Sequence, residues 1–187
     1  MRAVRLAVAG AGLGAGYLGL VTGAVPVDLG VGRRVRPLGP LRIDVAASRE
    51  TVFDVVAEPY GERTSRAMQA KVRVLERGSD LVLAEHYTPI RGRLQATTVE
   101  TVRFRRPEAV DFRLVRGPVP HVVETFTLEP LRLAGGDEGT RLSYTGELGT
   151  DLWALGSRWG DVVASRWQAV VAEAFETVRA EAERRRH

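Results

Sequence analysis

The chain contains no cysteine, which excludes disulfides, thiolate metal sites and a cysteine nucleophile and leaves the redox compartment open. Histidine is nearly as scarce. Neither His86 nor His121, the two before the terminal His187, has a second histidine or a carboxylate at metal-ligand spacing, so no metal is expected. Aromatic residues make up 6% of the chain and the net charge is only +4. Too few aromatics interleave with the basic residues to form a base-stacking surface, so nucleic acid is not an expected partner. No serine stands in a nucleophile elbow, and no glycine-rich loop precedes a helix as a phosphate cradle. No cofactor and no catalytic residue is assigned on these grounds.

What is present is a globular balance of 44% apolar and 27% charged residues over 187 positions, enough for one domain with a real core. Three regions are expected: 1–27, a basic linker at 28–37 holding Arg33, Arg34 and Arg36, and a folded domain at 38–187. Leu6 to Val27 has no charged residue and follows Arg2 and Arg5, which reads as a single-pass membrane anchor of about 20 residues. A cleaved signal peptide, with small residues at Thr22, Gly23 and Ala24, and a non-spanning segment are the alternatives. Cations on both flanks leave its orientation open. Basic clusters here and at Arg184 to Arg186 suit anionic lipid at least as well as nucleic acid. Gly10, Gly12 and Ala15 imitate a dinucleotide-binding turn, but no second parallel strand with an acidic end follows, so a nucleotide site is rejected.

After Pro37, Gly39 and Pro40, Leu41 to Ala46 alternates as a first strand, and Ser48 caps a short helix carrying Val52, Phe53, Val55 and Val56. A second helical turn is expected over Tyr60 to Ser65. Six strands follow: Ala67 to Glu76, Leu81 to Thr88, Arg93 to Arg105, Ala109 to Arg116, His121 to Leu131 and Thr140 to Leu148, separated by turns tight enough for antiparallel neighbours. From about Gly156 onward, Trp159, Val163, Trp167, Val170, Ala174, Val178 and Ala182 recur at helical spacing. The fold class is α+β: one strand, two short helices, six meandering strands and a long amphipathic helix.

That order and the run from Leu41 through Phe53 to Pro59 resemble the START-like or Bet v 1-like (SRPBCC) superfamily, which includes polyketide cyclase/dehydrase and lipid-transport proteins. The resemblance covers about residues 38 to 185. It implies a helix-grip, a seven-stranded antiparallel sheet wrapped around the carboxy-terminal helix, with a cavity for a lipid, sterol, quinone or polyketide-like compound. The amino-terminal membrane-type helix is an addition to that pattern.

Period-two alternation puts Glu100 among apolar residues on one strand face, Phe112 and Arg116 on the next, and Glu124 and Phe126 on the third. An inward cluster of Glu100, Arg116 and Glu124 is expected. Buried charges are costly unless paired. The cluster is therefore either a register-holding network, in one form with a bulge turning one charge outward, or a head-group site in which Arg116 binds a carboxylate, carbonyl or phosphate. Tyr87 and Tyr144 are placed on inner faces, and Trp159, Val163 and Trp167 line the helix side of the cavity. His86 is a minor candidate for a general base, and His121 lies at a turn.

Three functions compete. The first is a membrane-tethered binder or carrier of a hydrophobic small molecule or lipid. The second is a cyclase or dehydratase using the same cavity with His86, Glu100 or Tyr144 moving a proton. The third is an interaction domain with a filled interior. The sequence carries no signal of oligomeric state.

Overall fold

A computed structural model of the chain describes residues 16, 18–25, 28–62, 64–91 and 94–186. The expected membrane helix and the glycine motif at 10–15 fall largely or wholly outside them. No helix of the described residues is long and apolar enough to cross a membrane.

One sheet of seven strands dominates: β1 (Arg34–Val45), β2 (Val72–Arg77), β3 (Leu81–Arg91), β4 (Leu94–Arg105), β5 (Ala109–Arg116), β6 (His121–Arg132) and β7 (Glu138–Thr150). Its order is β1-β7-β6-β5-β4-β3-β2, with every pairing antiparallel. Between β1 and β2 lie α1 (Arg49–Ala57), a 3-10 turn (Glu58–Tyr60) and the short α2 (Arg66–Gln69); α3 (Trp153–Arg185) closes the chain. This is the helix-grip.

The elements follow local chemistry. Ser48 Oγ accepts from Thr51 N at 3.3 Å and caps α1, whose Val52, Phe53, Val55 and Val56 are buried. Ser65 caps α2 in the same way, through Met68 N. The residues expected to continue a helix up to Ser65 are therefore a 3-10 turn and a loop, and the strand expected from Ala67 starts at Val72. The first strand begins at Arg34 rather than Leu41. Pro37 and Pro40 do not interrupt it, because β1 is an edge strand and the register shifts between Leu38 and Leu41.

Helix α3 packs chiefly on β1, β7 and α1 and protects the β1 edge. Gln168 Oε1 accepts from Gly39 N at 3.1 Å, Glu183 Oε1 accepts from Ala46 N at 3.0 Å, and Arg36 donates to Ser157 O at 2.9 Å while pairing with Asp161. Its buried face is Gly160, Val163, Ala164, Val171, Phe175 and Ala182. Val170, placed on the apolar stripe by sequence, is 43% exposed, and Ala174 is exposed as well. A repeat of 3.6 residues carries the seam onto Val171 and Phe175 instead.

At the start of α3 the backbone turns through the left-handed region at Leu152 (φ 66°) and Trp153 (φ 47°), a strained arrangement for residues with side chains. It is held from outside. Asp151 accepts from Leu29 N (2.7 Å), Gly30 N (2.9 Å) and Arg33 Nε (2.8 Å), while Leu152 N and Trp153 N donate to Val31 O and Gly32 O. A Cβ on Gly156 would lie 1.5 Å from Asp151 O, so only glycine fits there.

Candidate functional site

The concave face of the sheet carries Ala84 and His86 on β3, Thr98, Glu100 and Val102 on β4, Phe112 and Leu114 on β5, Glu124 and Phe126 on β6, and Tyr144 on β7. Register joins them in rows: His86 opposite Thr98, Ala84 opposite Glu100, Glu100 opposite Leu114, Phe112 opposite Glu124, and Phe126 opposite Tyr144. Gly146 stands opposite Glu124. A Cβ there would press on Glu124 Cγ at 3.1 Å and Val123 O at 2.7 Å, so the missing side chain makes room for the acid.

Two linked polar groups result. Glu124 is 5% exposed; its Oε1 accepts from Tyr144 Oη (2.6 Å) and Trp167 Nε1 (2.6 Å). Glu100 is 6% exposed; its Oε1 accepts from Thr98 Oγ1 (2.7 Å), and its Oε2 lies 3.3 Å from His86 Nδ1 without forming a hydrogen bond. His86 Nε2 is 2.9 Å from Tyr60 Oη, so Tyr60 and Glu100 lie beside the two ring nitrogens of His86.

Burial sets the protonation of this site. It pushes Glu100 up to about 7, against the Thr98 hydrogen bond. Burial, reinforced by the charge of Glu100, pushes Glu124 up to about 7, against the donors Tyr144 and Trp167. Burial also lowers His86 to about 4, so its ring is neutral at physiological pH. Tyr60 and Tyr144 are raised by burial first and by the nearby carboxylates second.

The aromatic rings form a continuous wall. Phe126 lies 4.9 Å from Phe112, 5.1 Å from Phe175 and 5.8 Å from Tyr144, and Tyr60 lies 5.6 Å from Phe104, all between ring centroids. Despite this packing, Phe126, Leu114, Trp159 and Trp167 remain only partly buried, and the His86 side chain keeps 18% of its surface accessible. Helix α3 packs on β1, β7 and α1, and these inward side chains of β3 to β6 are left only partly covered. Separately, an open groove of about 700 Å³ runs along edge strand β2, lined by Pro59, Val72, Leu75 and Tyr87 among others; it contains neither buried acid.

Of the residues singled out by sequence, Glu100, Glu124, Phe112, Phe126, Tyr144, Trp159, Val163 and Trp167 face this interior. Trp159 also donates to Pro118 O at 2.9 Å. Arg116 and Tyr87 do not, and the expected three-charge cluster is absent. Register pairs Glu100 with Leu114 but Val99 with Arg116, which leaves Val115 as an inserted residue. One extra residue reverses the alternation, so Arg116 emerges on the outer face, 48% exposed and 3.6 Å from Glu85. Tyr87 donates to that same glutamate at 2.7 Å. Both faces of β3 are apolar in sequence, and the inner set proves to be Val82, Ala84 and His86. Period-two alternation had put Leu114 on this inner face, and sequence reasoning missed Tyr60. The signal for Tyr60 was an aromatic immediately after Pro59, at the exit of an apolar helix.

Residues 41–183 match the family of polyketide cyclase/dehydrase and lipid transport proteins. The chain belongs to this family. Among solved structures it is similar to the Zhui aromatase/cyclase from Streptomyces sp. R1128 (18% identity, 82% of this chain and 95% of that one, TM-score 0.58) and to a START superfamily protein from Mycobacterium smegmatis (18% identity, 81% and 97%, TM-score 0.52). The di-domain aromatase/cyclase BexL is matched over 83% of this chain and 50% of that one, at 11% identity and TM-score 0.52. No curated protein matches in sequence. At these identities the structural likeness establishes the fold, and the family's shared architecture leaves the ligand to be argued from this chain's own interior.

Proposed function

We propose that this family member binds a hydrophobic small molecule between α3 and strands β3 to β6. The observation that carries this reading is the set of inward residues that stay partly accessible around buried Glu100 and Glu124. Phe112, Phe126, Val163, Trp159 and Trp167 supply apolar and aromatic wall, and the two acids with Tyr144 supply the few polar groups that orient a ligand. Native mass spectrometry of the full chain from the cells that make it tests this. A retained apolar molecule in one-to-one ratio supports binding, and protein that emerges empty under gentle conditions sinks it.

A second reading is favoured by Tyr60 and Glu100 lying beside the two ring nitrogens of His86, groups able to move a proton, and makes the same interior the site of a cyclase or dehydratase. Turnover of the retained molecule distinguishes it from carriage.

We further propose that residues 1–27 anchor the domain at a membrane. Exposed Leu29, Val31, Val35, Leu94, Val115, Leu152, Trp153 and Leu155 all lie where β4 and β1 start, β5 ends and α3 begins. Thr22 O accepts from Thr97 N at that same end, so Thr22, within the uncharged amino-terminal stretch, sits beside this rim. Arg34 at the start of β1 adds a cation suited to anionic lipid. After alkaline carbonate extraction the protein should stay in the membrane pellet; its release would contradict the anchor.

A further inference from the structure

The inward face holds two buried acids, and among the described residues no lysine or arginine pairs with either of them. Arg116 has been turned outward by the bulge at Val115. Arg36 is the cation inside the grip at its β1 side, and it is taken up by Asp161 and Ser157 O beneath α3. Among the described residues the groups that face the acids are neutral or apolar: Tyr60 from the 3-10 turn, His86 from β3, Thr98 from β4, Leu114 from β5, Tyr144 from β7 and Trp167 from α3. An uncompensated buried carboxylate pair is costly, and burial raises both acids to about 7.

Acceptors also outnumber donors. Glu124 Oε2 receives no hydrogen bond from the described residues, because both donors go to Oε1. Glu100 Oε2 has only His86 Nδ1 beside it, and that nitrogen is itself buried with no hydrogen-bond partner among the described residues. With Nε2 engaged by Tyr60 Oη, a neutral His86 ring that donates there presents Nδ1 as an acceptor. Glu124 Oε2, Glu100 Oε2 and the unpartnered His86 Nδ1 thus retain hydrogen-bonding capacity on the inward face that also carries Phe126, near Trp167, and no lysine or arginine pairs with either acid among the described residues. An ammonium group carries three donors and one positive charge and is favoured over aromatic faces.

We propose that the ligand of this interior is a hydrophobic amine, bound as its ammonium between Glu100 and Glu124, and that anionic ligands such as fatty acids and phosphates are excluded. The inference rests on the binding reading above and replaces the anion site that an inward Arg116 would have made.

Isothermal titration of the full chain at pH 7 with 2-naphthylmethylamine, 2-naphthylmethanol and 2-naphthoic acid holds the apolar part constant and varies the head. The amine should bind at least about 10-fold tighter than the alcohol, in line with a charge-assisted contact in a desolvated site, and the acid should not bind. Buffers of different ionisation enthalpy should show proton release on amine binding, because the ammonium holds both carboxyls ionised. Glu124→Gln and Glu100→Gln should each weaken the amine by a larger factor than the alcohol, and so reduce the amine's advantage, with the folded state, read by circular dichroism, in place. Equal or tighter binding of the alcohol or the acid, or full retention of the amine's advantage in both variants, overturns the amine assignment and leaves the container standing. If none of the three binds, the container reading falls with it.

Discussion

Glu100 and Glu124 stand on apolar strand faces with no arginine or lysine paired to them among the described residues, and their titration gives the residue scale its sharpest consequence. Both carboxyls have folded-state pKa values raised to about 7 from about 4.5. Their favourable contribution is complete below about 4.5 and is lost as pH rises through 7. His86 acts the other way: lowered to about 4 from 6.5, it favours the fold above 6.5 and penalises it as pH falls toward 4. Two acids oppose one base, so Tm of the ligand-free protein should fall between about pH 5 and pH 8. In the double variant Glu100→Gln/Glu124→Gln that fall should disappear. Thermal denaturation across this range checks it, and identical profiles for the two proteins would show that the pair does not titrate as described. The inward direction of both acids was legible from period-two alternation. Arg116 was not, because a single inserted residue at Val115 inverts a face and nothing in its side chain announces the bulge.

At the scale of elements, α3 depends on how its first turn is secured. Asp151 collects two backbone N–H groups and Arg33, and Gly156 lets Asp151 O approach the helix. Gly156→Ala should cost more than about 3 kcal/mol, since the clash is with backbone that cannot repack. Ser48→Ala, which removes only the α1 cap, should cost about 1 kcal/mol. Urea denaturation of the two variants checks the ranking, and a Gly156→Ala protein as stable as Ser48→Ala would contradict this description of the helix start. The strands were readable because Gly and Pro turns separate them, and α3 because its apolar repeat is long. The early start of β1 was hidden by Pro37 and Pro40, which read as a break but are tolerated on an edge strand. The exact seam of α3 was hidden because neighbouring positions such as Val170 and Val171 are equally apolar, and only the sheet decides which is buried.

At the scale of the whole molecule the grip is asymmetric: α3 covers β1 and β7, and the inward face of β3 to β6 is left only partly covered. Fold and family followed from element order; the partly covered face did not, because it depends on where a helix rests on a curved sheet. Titration with N-phenyl-1-naphthylamine, read by energy transfer from Trp159 and Trp167, tests whether that face accepts an apolar molecule. The prediction is one saturable site per chain, lost in Leu114→Trp, whose ring would occupy the space beside Glu100, and unchanged in Arg116→Met, whose side chain lies outside. Absence of saturable binding in the native chain, or undiminished binding in a folded Leu114→Trp protein, would contradict it.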